Sequence, residues 1–403
     1  MQITDDDLDR WSREGDPAAD DLIRAEVDRA DEITARTVIR DVARHLHVPE
    51  ERSPAMSAYL GAAEPPSIRV DHDKLDLGAR FFADHALEVG SALFCGSLPE
   101  GYASPRGARV LMLTGRLARE PVRRIMETAQ MVLHVTSPGG LTTGTGFGYQ
   151  DARRVRLMHA AIRHYITEDP EVARDDDPLA ACEGWVGSWG LPLNQADLLG
   201  GLLTFTVTVF DALQALGIQP SEDELDAYLH LWCVVTSIMG LHPDLVPANP
   251  SEAQLAAKRI RDREQRPSDD GKALTAALVE ALQAEVPGPL KGFVPAMVQL
   301  YVGDAVAADL GVDASPLFTG PMRWMSSRLH ADELRDNRYT RTLVREIGAM
   351  AVRGFMNANR SGERPAFDIP KELRSTFGRG PAGFHLPTPG SMFARIGPGR
   401  SRS

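Results

Sequence analysis

The sequence predicts an all-α protein built as one large helical domain. Apolar residues recur at the three- and four-residue spacing of an amphipathic helix along nearly the whole chain, and the alternation of a half-buried strand is almost absent. Proline and glycine fall at the ends of the periodic segments. There is no internal repeat, and no composition break sets the first 70 residues apart. Residues 1–376 therefore read as one domain with 1–70 as an N-terminal extension, followed by a tail over 377–403.

Residues 20–47 form an amphipathic helix that stops at Val48 and Pro49, because the residue before a proline is driven out of helical backbone. Residues 73–98 form the next, with charges on one side and Phe81, Phe82, Leu87, Leu93 and Phe94 toward the core. The turn-forming run 101–107 precedes a short apolar helix over 108–117. Pro121 suits the first turn of a helix reaching about His134, since its missing N–H is one that a helix start leaves unpaired anyway. Residues 136–148 read as a loop, and a helix carrying RVRLMHAAIRHYI follows. The acidic run 168–177 is a solvated loop or helix end. Further helices are expected at 194–216, 221–239, 251–263, 271–284, 289–302 and 331–359. The tail is rich in glycine and proline and has arginines but no acid, so it is expected to be irregular, with Phe384, Met392 and Phe393 available to latch onto the body.

Composition narrows the function. The chain has 403 residues, 43% of them hydrophobic, and Lys+Arg 44 against Asp+Glu 56 gives a net charge of −12. Such a protein repels phosphate backbones, which argues against nucleic acid and anionic membranes and favours a small, weakly charged ligand. The longest uncharged apolar stretch, 198–210, lies between Asp197 and Asp211 and is too short to span a bilayer, so no stable membrane insertion is expected. It reads as a buried core helix, with the wall of an apolar pocket as the second reading. Cys95, Cys182 and Cys233 stand far apart without a CxxC pair, as suits buried thiols in a reducing cytosol. The start, MQITDDDLDRWSREGD, lacks the basic and apolar regions of a secretory signal, so a cytoplasmic location is expected.

The chemistry-bearing feature is Arg156, His159 and Arg163. At 3.6 residues per turn their positions fall within about 60° of one another, beside the apolar stripe of Val155, Met158, Ile162 and Ile166. An imidazole at the edge of a core can bind haem iron, and flanking guanidiniums can pair with the two propionates of the same porphyrin. Two other readings compete: a hydrogen-bonded structural histidine among surface ion pairs, and a basic face for nucleic acid, which the net charge opposes. Other motifs fall away. The GxG of Gly144, Thr145 and Gly146 follows a helical pattern, not a strand, and so is a turn, not a dinucleotide site. His45 with His47, and His85 with Glu88, lack a second metal-ligand cluster, and there is no GxSxG elbow or evident acid/base pair.

The segments YASPRGARVLMLTGRLAR, RRIMETAQ and RVRLMHAAIRH, in that order, resemble the catalytic domain shared by latex-clearing rubber oxygenases and the mpaB-type oxygenases that shorten a farnesyl chain. GLPLNQADLLGGLLTF and LHLWCVVTSIMGLHPDLVP, with Trp232 and Gly240, extend the likeness, which is good over about 71–247. The resemblance implies haem b in an all-α, globin-like core, with His159 as the proximal iron ligand and Arg156 and Arg163 on the cofactor. His164 matches a second family histidine but projects about 140° from His159, which makes it structural. Arg124 and Thr128 match an arginine and threonine of the oxygen-binding side, four residues apart on one helix face.

Two departures separate this chain from the rubber-cleaving members. They carry a lysine where this chain has Glu127, and a glutamate base on the preceding helix, whereas 101–119 contains no acid. The expectation is a haem-dependent oxygenase using O2 on a small apolar, unsaturated, isoprenoid-type molecule, with Arg124, Glu127 and Thr128 at the reaction side and rubber disfavoured. The alternative is a haem protein that binds or senses a diatomic gas without turnover.

Overall fold

A computed structural model describes residues 3–29, 54–114, 121–168, 185, 187–284, 286 and 288–320, with the side chains of 121–124 left aside. In chain order the helices are α1 Asp5–Trp11, α2 Pro17–Arg29, α3 Pro54–Gly61, α4 His72–Asp84, α5 Ala86–Ala92, α6 Leu98–Tyr102, α7 Pro105–Leu113, α8 Pro121–Val135, α9 Phe147–Glu168, α10 Gln195–Ala215, α11 Glu222–Ile238, α12 Pro250–Glu264, α13 Asp269–Ala284, α14 Phe293–Val302 and α15 Asp304–Asp309. No strand occurs among the described residues, so the fold is all-α as the periodicity predicts.

The helix starts follow from side chains that satisfy otherwise unpaired backbone N–H groups. Asn194 accepts from the N–H of Asp197 while Asp197 accepts from that of Asn194, and Ser221 and Glu224 repeat the arrangement at α11. Ser104 and Asn249 cap α7 and α12, each followed by a first-turn proline.

Several expected boundaries shift. The single helix expected over 73–98 breaks at His85, whose backbone (φ −118°, ψ 21°) leaves the helical region, and after α5 the chain widens into a π turn at Leu93–Ser97. There the Ser97 hydroxyl donates to the carbonyl of Thr204, docking the turn on α10. The helix expected from residue 108 starts at Pro105 under the Ser104 cap, and the one expected over 289–302 splits into a 3₁₀ turn at Gly288–Leu290 and α14. The helix expected over 20–47 begins at Pro17 and is followed to Arg29. Helices α1, α3 and α15 were not anticipated. The expectations for 30–47, 169–177, 331–359 and 377–403, and for Cys182, lie outside the described residues.

Helix α10 is the centre of the fold, packed against α5, the π turn, α6, α11, α12 and α14. By length and composition it could cross a membrane, yet 67% of its most apolar window is buried inside the protein, as befits a core helix. Helix α11 lies closely on α4, where Gly78 makes the approach possible: a Cβ there would stand 2.8 Å from the carbonyl oxygen of Ala227. Behind that contact the fully buried Trp232 stacks on Phe205 with ring centroids 4.4 Å apart. A second apolar cluster joins α6, α7, α8, α13 and α14 through residues such as Tyr102, Ile125, Leu274 and Val298. Helix α9 packs on α2, α3, α8 and α11, and so carries His159 between the N-terminal helices and the main core.

Candidate functional site

Residues of both clusters line a cavity of about 440 Å³. Its wall is largely apolar, with Leu93, Met131, Val155, Leu202, Phe205 and Trp232 as examples. His159, half-buried on α9, contributes the imidazole of that wall. Its place follows from helix geometry: Val155, Met158 and Ile162 lie on one side of it around the axis, Arg153, Arg156 and Arg163 on the other, and position 159 is the border. Thr128 and Glu127, both half-buried on α8, line the same cavity. The backbone of Arg124 belongs to α8, while its side chain lies outside the described residues. The structure thus brings His159, Glu127 and Thr128 together.

It places Arg156 and Arg163, the arginines expected on a cofactor, against carboxylates of the N-terminal segment. Arg156 donates from Nη2 to Asp16 Oδ1 at 2.8 Å and from Nε to the other oxygen. Arg163 donates from Nε to Asp20 Oδ1 at 2.9 Å and from Nη1 to the carbonyl of Leu193. Arg153 completes the row, donating to Glu64 Oε2 at 2.8 Å and lying over the ring of Tyr59. Neither Arg156 nor Arg163 lines the cavity of His159; Arg156 instead lines a second cavity of about 420 Å³, less apolar than the first, with Asp16, Glu64, Gln195 and His242. The physical reason is charge. A guanidinium taken out of water needs a counter-ion, and the N-terminal segment supplies buried Asp16 and half-buried Asp20. Burial works against the charged form of Arg156, but the Asp16 contact outweighs it and holds the pKa above the ordinary arginine value. The visible signal was Asp16 and Asp20, one helical turn apart.

Two groups at the cavity wall were missed. Arg106 reaches Asp197 Oδ1 at 2.8 Å, Glu264 Oε1 at 3.6 Å and the carbonyl of Trp189 at 3.2 Å. Burial pushes the Asp197 carboxyl above its usual range, with the charge of Arg106 pulling it back. Arg261 binds Glu100 through Nε at 2.7 Å and Nη2 at 3.0 Å, and Asp211 through Nη1 at 2.8 Å. Glu100 is the acid just ahead of the acid-free run 101–119, and it does line the cavity, but Arg261 and Thr208 occupy both of its oxygens. Asp197 and Asp211 bracket the apolar stretch of α10, and two carboxylates flanking a buried helix must each find a cation. That was the available signal.

The wall does not offer a ready-made cage for a bare metal ion. Among the described residues no three or more His, Cys, Asp and Glu side chains cluster as metal ligands, so a metal here would have to bring most of its own donors, as a porphyrin does. Gly200 and Gly201, consecutive inside α10, both line the cavity, and a Cβ on either would meet nothing within 4 Å. Each glycine costs a helix about 1 kcal/mol relative to alanine. The pair keeps open space along a helix face in the chamber that His159 enters. The α10 stretch expected as core, with a pocket wall as its second reading, is both: Leu198, Leu202 and Leu203 line the cavity while Leu199 and Val209 are buried in the core. Leu193, another wall residue, has the left-handed φ of 49°, rare for a branched side chain, and its carbonyl is the one Arg163 holds.

Comparison with known proteins agrees with this architecture. Residues 84–349 match the family model described as ER-bound oxygenase mpaB/B'/Rubber oxygenase, catalytic domain. The rubber oxygenase of Streptomyces sp. (strain K30) is 24% identical over 313 residues, covering 76% of this chain and 72% of that protein. The solved structure of latex clearing protein LCP in the closed state superposes with a TM-score of 0.65 at 21% identity, over 89% of this chain and 94% of that one, which is a likeness of fold. With its matched segment containing His159 and nearly all of the cavity wall, the chain belongs to the mpaB and rubber oxygenase catalytic-domain family and is an all-α oxygenase.

Proposed function

We propose that the cavity holds a b-type haem through His159, and that the protein uses O2 to oxidise a small apolar, unsaturated molecule beside it. The observation that carries this reading is the imidazole of His159, the one histidine among the described residues on the wall of a largely apolar cavity whose α10 face is kept open by Gly200 and Gly201. Bound there, haem supplies an iron centre able to activate dioxygen.

The protein's own residues do the rest. His159 holds the cofactor from α9, which the pairs Arg156–Asp16 and Arg163–Asp20 brace against the N-terminal helices. The two arginines act by stiffening the helix that carries the ligand. Leu202, Phe205, Met131 and Val132 exclude water and receive an apolar substrate. Thr128 offers a hydroxyl to an oxygen atom in the cavity, and the Glu127 carboxylate can take a proton from the substrate there. Arg124 is proposed as a partner of Thr128 on the same helix face.

The test is an absorption spectrum of the purified protein, supplemented with haem, followed by oxygen uptake with unsaturated apolar compounds. A Soret band with oxygen consumed and an altered organic product is expected. His159→Ala should lose most of the haem while keeping its helical circular dichroism. Full haem retention with an unchanged spectrum would sink the assignment, and reversible gas binding without product would point to a sensor.

A further inference from the structure

One end of the cavity is polar in a way that the reaction does not use. Arg106 on α7 is only 7% exposed; it gives Nη2 to Asp197 and Nη1 to Trp189, but its Nε–H is buried and bonded to nothing. Buried donors are seldom left unmade, and one on a cavity wall marks a place for a ligand atom. Beside it, at the end of α12, stand Glu264, whose Oε1 takes Arg263, and Gln265, whose half-buried side-chain amide makes no hydrogen bond. The wall therefore offers one charged donor, one carboxylate oxygen and one amide, close to an apolar chamber.

We propose that this end is a head-group subsite for the terminal hydroxyl of a neutral amphipathic alcohol, whose apolar chain lies along Leu198, Leu202 and Phe205 toward His159. The inference rests on reading the cavity as the substrate chamber and deepens it by naming the substrate class. A hydroxyl serves both kinds of open position, accepting from Arg106 Nε–H and donating to Glu264 or Gln265. A carboxylate is opposed by Glu100, Asp197 and Glu264, against which the wall sets, among the described residues, Arg106 and Arg261, both already paired. It would also compete for Arg106, on which Asp197 depends. An ammonium cannot accept from Arg106, and a plain hydrocarbon leaves that N–H unmade.

The test is calorimetric titration of the full-length purified protein with 1-decanol, decanoate and decylamine, which share one chain and differ in the head group. The alcohol is expected to bind about tenfold or more tightly than either charged analogue, a difference of about 1.4 kcal/mol. Arg106→Met should erase that preference. Because it also strips Asp197 of its partner, Gln265→Leu is titrated beside it and should lower the affinity for decanol severalfold, and by more than it lowers that for decylamine. Equal affinities for all three compounds, a preference for decanoate, or a loss in Gln265→Leu that falls equally on every ligand would each overturn the proposal. The Soret spectrum of the same preparation separates the two ideas. Selective alcohol binding without haem uptake defeats the haem reading alone, and haem uptake without selectivity defeats the subsite alone.

Discussion

Arg156 grips Asp16 with two nitrogens, at 2.8 Å for Nη2 to Oδ1, only three residues before His159 and outside the cavity that His159 lines. Gly240 stands against the pair with φ +95°, and a Cβ there would be 2.3 Å from Asp16 Oδ2, so the loop after α11 is shaped around the contact. The helix that presents the imidazole is held from behind by a charge pair.

Breaking that pair should destabilise the fold strongly. Asp16 is 4% exposed, and removing one member of a buried pair leaves the other charge uncompensated, at a cost of about 3–5 kcal/mol. Asp16→Asn should therefore lower the urea midpoint markedly, while the double change Asp16→Leu with Arg156→Met should recover most of the loss. If both variants unfold at the same urea concentration, the pair is not what stabilises this region.

Gly200 and Gly201 should show opposite effects on stability and on binding. Gly200→Ala or Gly201→Ala improves helix propensity by about 1 kcal/mol and meets no atom within 4 Å, so the protein without added haem should melt a few degrees higher. The added methyl enters the cavity, so haem uptake measured by Soret absorbance should fall. A variant that melts higher and takes up haem unchanged would show that the open face has no binding role.

The pH dependence should carry the mark of Asp197. Burial raises its carboxyl pKa, so the folded protein holds that proton more tightly than the unfolded chain does. Its contribution to stability is greatest below the ordinary aspartate pKa and declines as pH rises through the raised value. Acids such as Asp7, Asp9 and Asp71, held low by hydrogen bonds, act in the opposite sense and lose their contribution as pH falls. The difference in urea midpoint between the natural chain and Asp197→Asn, followed from acid to neutral pH, isolates the first effect. The natural chain should lose ground to the variant as pH rises, and a flat difference contradicts the assignment.

Thiol labelling should find the core closed. Burial pushes the thiols of Cys95 and Cys233 to about 12, so neither forms thiolate at pH 8. A disulfide-exchange reagent should therefore label at most Cys182 in the native protein and all three cysteines in denaturant. Rapid native labelling of two or more would mean that the core opens.

The elements that were legible are those whose signals lie within one or two turns. The capping pairs Asn194 with Asp197 and Ser221 with Glu224 mark the starts of α10 and α11 within the sequence itself, and Pro121 and Pro250 mark two more. The break at His85 was not legible, because the apolar spacing runs through it unchanged. The widened turn that follows is docked by Ser97 on Thr204, a contact between residues 107 positions apart.

The sequence by itself determined that the chain is helical and that His159 sits at the border between an apolar and a basic stripe, since a helix's faces repeat every 3.6 residues and can be read locally. It did not determine which side of that border bears on the cavity. Nor did it determine the partners of Arg156 and Arg163, since Asp16 and Asp20 lie 140 and 143 positions away in the chain. Only the tertiary structure decides such meetings: a buried charge must be neutralised by whatever the packing of distant helices brings within about 3 Å, and no local periodicity records that choice.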